Sequence, residues 1–242
     1  MYKVSFLTPH TIRLVIVRLF VIFFVCLPLT GQAKQNFSET DLALLYEDVA
    51  SQLFHGGVSV YFAPASTVGQ NQTDTKDWWK NCAYTPRISE EGQRRAAVVN
   101  NALNTLQVVL GLVEAAEHCT AKTTAIYIAG SKHKIYTTSD LNPIEVQRAG
   151  GLRDAETRTH ITGHMTFGRA GAIIALFGFP LPVSAAPHPV LADLQSDESA
   201  ILRTLPDGEI QLIARLNWQQ WGEMANYIKW KALMHARQKR KK

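Results

Sequence analysis

His55-Gly56-Gly57-Val58-Ser59-Val60-Tyr61-Phe62-Ala63-Pro64 is the stretch from which the chain can be read. Ahead of it, Leu42, Leu45, Val49 and Leu53 recur at helical spacing, behind Ser38 or Thr40, either of which can cap a helix. The glycine pair stops that helix, because glycine takes the left-handed turn at little cost. Val58 to Phe62 then reads as a strand of β-branched and aromatic residues.

Working outward, Ala63 to Ala83 is a polar loop carrying Trp78-Trp79, a pair that could stack on a ligand or cover core under the loop. Ser89 caps a second helix to about Leu106, with Ala96, Val99, Leu103 and Leu106 on one face. Val108 to Ala115 is a second apolar strand, and residues 120–129 fit either a helix or a strand. Thr159 to Thr162 reads as a short strand ending at Gly163-His164, with helix following from about Arg169 to Leu176. Phe179 to Pro189 is loop. Ser199 to Leu205 and Glu209 to Leu216 flank Pro206-Asp207-Gly208 as a hairpin. A last helix starts near Trp218. Strands separated by helices predict a three-layer α/β domain, its sheet mostly parallel with helices on both faces. Ligands of such sheets sit at the carboxyl ends of strands, here after Phe62, after Ala115 and after Thr162.

The ends carry different information. Lys3, Arg13 and Arg18 precede an apolar run from Leu19 to Leu29, and Gly31-Gln32-Ala33 supplies small residues at both positions of a cleavage site. That is the pattern of a secretory signal, 1–33, cut after Ala33. Eleven apolar residues are too few for a bilayer span, which takes about 20. The expected location is periplasmic or secreted. The whole chain carries +5; without Lys3, Arg13 and Arg18 it carries +2. The segment 229–242 holds seven basic residues and no acid, so the domain at 34–228 carries −5. The basicity belongs to a tail, which argues against a nucleic-acid-binding body. Cys82 and Cys119 remain after the cut, and an even count in an oxidising compartment predicts a disulfide, the other reading being two buried thiols.

Several motifs fall in an ordered series. Gly56-Gly57-Val-Ser-Val-Tyr-Phe is followed by Asp74 and Cys82, then Ser89-Glu90-Glu91-Gly92-Gln93-Arg94, Cys119, Gly163-His164, the hairpin and the tryptophan-started helix. Over about residues 38–225 this series resembles the histidine phosphatase (phosphoglycerate-mutase-like) superfamily, in its exported bacterial branch. The resemblance implies a histidine-phosphatase-like fold and phosphoryl transfer through a phosphohistidine. In that chemistry a histidine attacks phosphorus, while two arginines and a second histidine neutralise the phosphoryl oxygens.

Carried over by position, the nucleophile and its neighbouring arginine fall at Ala63-Pro64. The second arginine falls at Thr120, and the serine opening that turn at Ala116. His164 matches the second histidine. Glu117 and Asp154 are candidates for the acid by proximity alone. His55 reads as a helix C-terminal residue and His118 as a surface residue near the pocket rim. His160 and His164 lack a third ligand, so neither a metal nor a cofactor is expected. The expected function is a pseudo-phosphatase acting by binding, with a phosphorylated or anionic ligand. The alternative is a weak or altered phosphomonoesterase. A third reading is a surface-attached factor held on an anionic membrane by the basic tail, which could equally be a solvated helix end.

Overall fold

The computed structural model describes residues 39–70, 78–166 and 168–239. The expected signal segment, 1–33, and Asp74 lie outside the described residues. The first helix, α1, spans Glu39–His55 and ends where Gly56 and Gly57 take φ of 69° and 72°. Strand β1 follows at Ser59–Phe62, between two neighbours: it pairs in parallel with β6 (Ile173–Phe177) and antiparallel with β7 (Glu198–Thr204). Strand β4 (Leu110–Ala116) lies on the far side of β6 and pairs in parallel with it and with β5 (Tyr136–Thr138). Strand β8 (Ile210–Asn217) closes the hairpin with β7 at the other edge. The six-stranded order is β5-β4-β6-β1-β7-β8; a separate ribbon pairs β2 (Thr67–Val68) with β3 (Arg87–Ile88). The sheet is thus mostly parallel, as expected.

Period-two alternation splits the strands between two cores. Val60 and Phe62 of β1, with Ile173, Ala175 and Phe177 of β6, face helices α1, α2 (Glu90–Thr105), α3 (Cys119–Ala129) and α6 (Trp218–Lys239). Tyr61, Ile174 and Leu176 face the other way, onto Ile161 and Met165 of α5 (Asp154–Met165) and the long loop bearing Leu181, Leu191 and Leu194. Three layers result. Each of these large side chains, once buried, contributes roughly 1.5–3 kcal/mol. A short helix, α4 (Ile144–Ala149), precedes α5.

Two expectations are corrected. Thr159 to Thr162 is the middle of α5, not a strand. Glu156 reaches back to accept the Arg153 N–H at 2.9 Å, and acidic residues occupy the first turn. Thr157, Ile161 and Met165 recur every fourth residue on the buried side. The threonines that suggested β-structure instead bond back along the helix, Thr159 to the Ala155 carbonyl and Thr162 to that of Arg158. Conversely, the segment read as helix from Arg169 to Leu176 holds β6, whose five residues are all buried. A strand covered on both faces shows no alternation. Residues 120–129 are helical.

Candidate functional site

Three strand ends meet on one side of the sheet. Strand β1 runs into Ala63-Pro64, β4 into Glu117-His118, and β6 into Gly178-Phe179. Ala63, Pro64, His118, Thr120, Phe179 and Pro180 line a cavity of about 250 Å³ there. It opens at the carboxyl ends of β1, β4 and β6, where open α/β sheets bind ligands. The three positions picked out by resemblance, Ala63, Pro64 and Thr120, therefore share one pocket.

The pocket is held rigidly. The loop after β1 is tied down at each residue: the Ala65 N–H donates to Thr124 Oγ1 at 3.0 Å, the Ser66 N–H donates to Asp197 at 3.0 Å, and the Asp197 N–H donates to the Pro64 carbonyl at 3.2 Å. The Ser66 hydroxyl also donates to Asp197, and Arg95 completes the clamp at 2.9 Å. Arg95 is thus committed to carboxylates and does not line the cavity. The close approach at β6 explains Gly178. A Cβ there would lie 2.8 Å from Tyr61 Cζ, and the buried Tyr61 hydroxyl donates to the Phe179 carbonyl at 2.8 Å.

His118 was expected at the surface, but it is 2% exposed and caps α3. Its Nδ1 accepts the Thr120 N–H at 3.2 Å, which leaves the proton on Nε2, where it has no partner among the described residues. The ring packs edge-on against Trp78 at 5.6 Å and Phe179 at 4.8 Å between centroids. Desolvation, with Lys122 adding to it, pushes its pKa down to about 4, so the ring is neutral near pH 7. Trp78 is buried against that ring, so of the two readings of the tryptophan pair its first member serves as cover. Cys82 and Cys119 are bonded, with Cα atoms 5.3 Å apart, which anchors the Trp78 segment to the first turn of α3. No Lys, Arg, Asp or Glu lines the cavity among the described residues. The expected anionic ligand therefore meets no fixed positive charge in this lining.

His164 lies elsewhere. Because Gly163-His164 is helical, it does not end a strand and does not line the cavity. Its Nδ1 lies 2.8 Å from Glu114 of β4 and its Nε2 lies 3.0 Å from Asp140. The Glu114 carboxylate beside it is the main cause that raises its pKa to about 9, with Asp140 adding to it against desolvation. Burial pushes the Asp140 carboxyl up, but His164 and His160 hold it below its ordinary value. His160, one turn earlier, bonds the other Asp140 oxygen at 3.2 Å. This is an ion-pair cluster joining α5 to β4 and the turn at Ser139–Leu141. The acid candidates are also engaged elsewhere. Glu117 accepts from Asn142 at 3.2 Å and pairs with Lys80 at 3.4 Å, and Asp154 is held by Arg148 at 3.0 Å.

Sequence reasoning missed two parts of the site. Phe179 opens the Pro- and Ala-rich loop 179–189, and nothing in that composition marks it as the residue that follows β6 into the cavity. The buried polar bridge behind His118 gave no sequence signal: Asn142 accepts the His118 N–H at 3.3 Å, Gln147 donates to the Asn142 carbonyl at 2.7 Å, and Thr157 donates to Gln147 at 2.8 Å.

No family model matches the chain, and no curated protein matches it. Among solved structures, similar ones include the protein histidine phosphatase SixA complexed with tungstate, at 10% identity and a TM-score of 0.46, covering 66% of this chain and 97% of that one. Another is the Entamoeba histolytica phosphoserine phosphatase in complex with 3-phosphoglyceric acid, at 11% and 0.45, covering 68% and 98%. A third is the mycobacterial glucosyl-3-phosphoglycerate phosphatase with inorganic phosphate, at 14% and 0.41, covering 66% and 96%. These are likenesses, and no activity transfers with them.

Proposed function

We propose that this chain is an exported protein on the histidine-phosphatase fold whose phosphate pocket has been disarmed, so that it binds rather than hydrolyses. One observation carries the reading: Ala63, Pro64, Thr120 and Phe179 converge on a single cavity. The first three stand where the resemblance puts the arginine-histidine pair and the second arginine. The resemblance matched the second histidine to His164, a role that His164 cannot take from within α5; Phe179, after Gly178 at the end of β6, is the residue that lines the cavity there. Each replacement removes either a nucleophile or a donor that stabilises the transferred charge, and loss of a nucleophile alone commonly costs about 10⁴-fold or more. What remains is a lining without a Lys, Arg, Asp or Glu among the described residues, in which Ala63, Pro64, Phe179 and Pro180 stand beside the hydroxyl-bearing Thr67, Thr120 and Ser196. That chemistry favours a small neutral ligand over a phosphate dianion.

The test is para-nitrophenyl phosphate hydrolysis across pH 4–9, with and without divalent metals. The natural protein is compared with the combined substitution Ala63→Arg, Pro64→His, Thr120→Arg and Phe179→His. A silent natural protein and a variant that gains turnover support the reading. A folded variant that stays silent counts against the correspondence of positions. Turnover by the natural protein that is lost on His118→Ala would mean an altered phosphomonoesterase instead.

A further inference from the structure

The last helix outruns the domain. The last buried side chain of α6 is Ala225, yet the helix continues to Lys239. Beyond it, Trp230 is 57% exposed, Leu233 55% and Met234 37%. Positions 230, 233 and 234 are spaced three and four apart, so they share one helical face, and Arg237 continues that face a turn later. Phe54 of α1, 55% exposed, lines with Leu233 and Ile228 a groove between the two helices of about 690 Å³. These side chains gain nothing from the core, and a tryptophan exposed in water loses the environment it favours.

The charged side chains of α6 beyond Ala225 have one sign. Lys229, Lys231, Arg237 and Lys239 lie on the helix, and Arg240, Lys241 and Lys242 follow in the sequence. Among the described residues, Lys231 pairs with Glu47 at 2.5 Å, and Lys229, Arg237 and Lys239 form no ion pair. The last acid of α6 is Glu223, before the exposed stretch, while residues 34–228 carry −5. The molecule is therefore polarised, negative over the body and positive at one helix end, where the apolar stripe also sits.

We infer that the Trp230–Arg237 face is a peripheral membrane-docking surface for anionic lipid. The helix lies in the interface with Trp230, Leu233 and Met234 among the acyl chains and the lysines and arginines on the headgroups. An apolar stripe joined to a basic flank is the combination that holds interfacial helices. Each basic residue near the surface adds attraction that salt screens. The negative body is repelled by the same surface, which orients the helix end toward it. An acidic protein partner would satisfy the cations but does not account for a tryptophan, a leucine and a methionine presented together. The inference is independent of what the pocket binds.

The experiment uses protein starting at Lys34, the first residue after the expected cut, which keeps the whole described core, Tyr46 to Ala225. Co-sedimentation is measured with vesicles of phosphatidylcholine alone and of an equal mixture with phosphatidylglycerol. The expected result is binding to the anionic vesicles only, weakened about tenfold or more by high salt. The variant Trp230→Ser, Leu233→Ser and Met234→Ser should bind about tenfold or more weakly with an unchanged melting temperature, because these side chains are exposed. The variant Arg237→Glu and Lys239→Glu should lose binding similarly. No binding to anionic vesicles overturns the inference. So does binding that the serine variant retains in full, which would be charge attraction alone. Capture by polyglutamate without capture by vesicles overturns it in favour of an acidic polypeptide.

Discussion

His118, buried between Trp78 and Phe179, is pushed down to about 4, while His164, paired with the Glu114 and Asp140 carboxylates, is raised to about 9. The signs of the stability effects follow from linkage. For His118 the unfolded chain takes a proton near pH 6.5 and the folded one does not, so stability falls as pH drops from about 6.5 toward 4. For His164 the folded chain keeps its proton, so its contribution is complete below pH 6.5 and is lost as pH rises through 9. At about 1.4 kcal/mol per pH unit, and discounted for the partial exposure of the ring, that contribution is on the order of 2–3 kcal/mol. These two residues predict a stability maximum near pH 6.5. Urea midpoints measured from pH 4 to 9 check it, and His118→Gln should flatten the acid limb while His164→Gln flattens the alkaline one. Neither environment was legible in the sequence. A histidine beside a cysteine gives no sign that three strand ends and a tryptophan will close over it.

At the scale of elements, the Cys82–Cys119 bond fixes a segment of little regular structure to the start of α3. Closing 36 intervening residues removes freedom from the unfolded chain worth roughly 3–4 kcal/mol. Reduction, or Cys82→Ser with Cys119→Ser, should lower unfolding stability by about that amount, read as a shift in urea midpoint with and without dithiothreitol. An unchanged midpoint would mean that the Trp78 segment is held by packing alone. Cysteine count made the bond foreseeable. The order of α5 and β6 was misread because two signals conflicted with burial: threonines whose hydroxyls bond within a helix look β-like, and a strand buried on both faces loses its alternation.

At the scale of the whole molecule, the proposed export rests on the expected signal at 1–33 and the proposed membrane docking on the separation of charge between body and tail. Expressed from its full sequence in a bacterium, the protein should be recovered with Lys34 as its first residue and with Cys82 and Cys119 oxidised. Intact mass measurement reads both, and a chain retaining residues 1–33 in the soluble fraction would remove the export reading. By itself the sequence determined the α/β class, the first strand and its glycine turn, the closing hairpin and the even pair of cysteines from which a disulfide is expected. All of these depend on local periodicity, turn chemistry or residue type. Only the tertiary structure decided that Phe179, and not His164, joins Ala63, Pro64 and Thr120, that His118 is a buried neutral donor, and that α6 leaves an apolar stripe uncovered. Those outcomes depend on which strands become neighbours and which faces are covered, and long-range packing sets both.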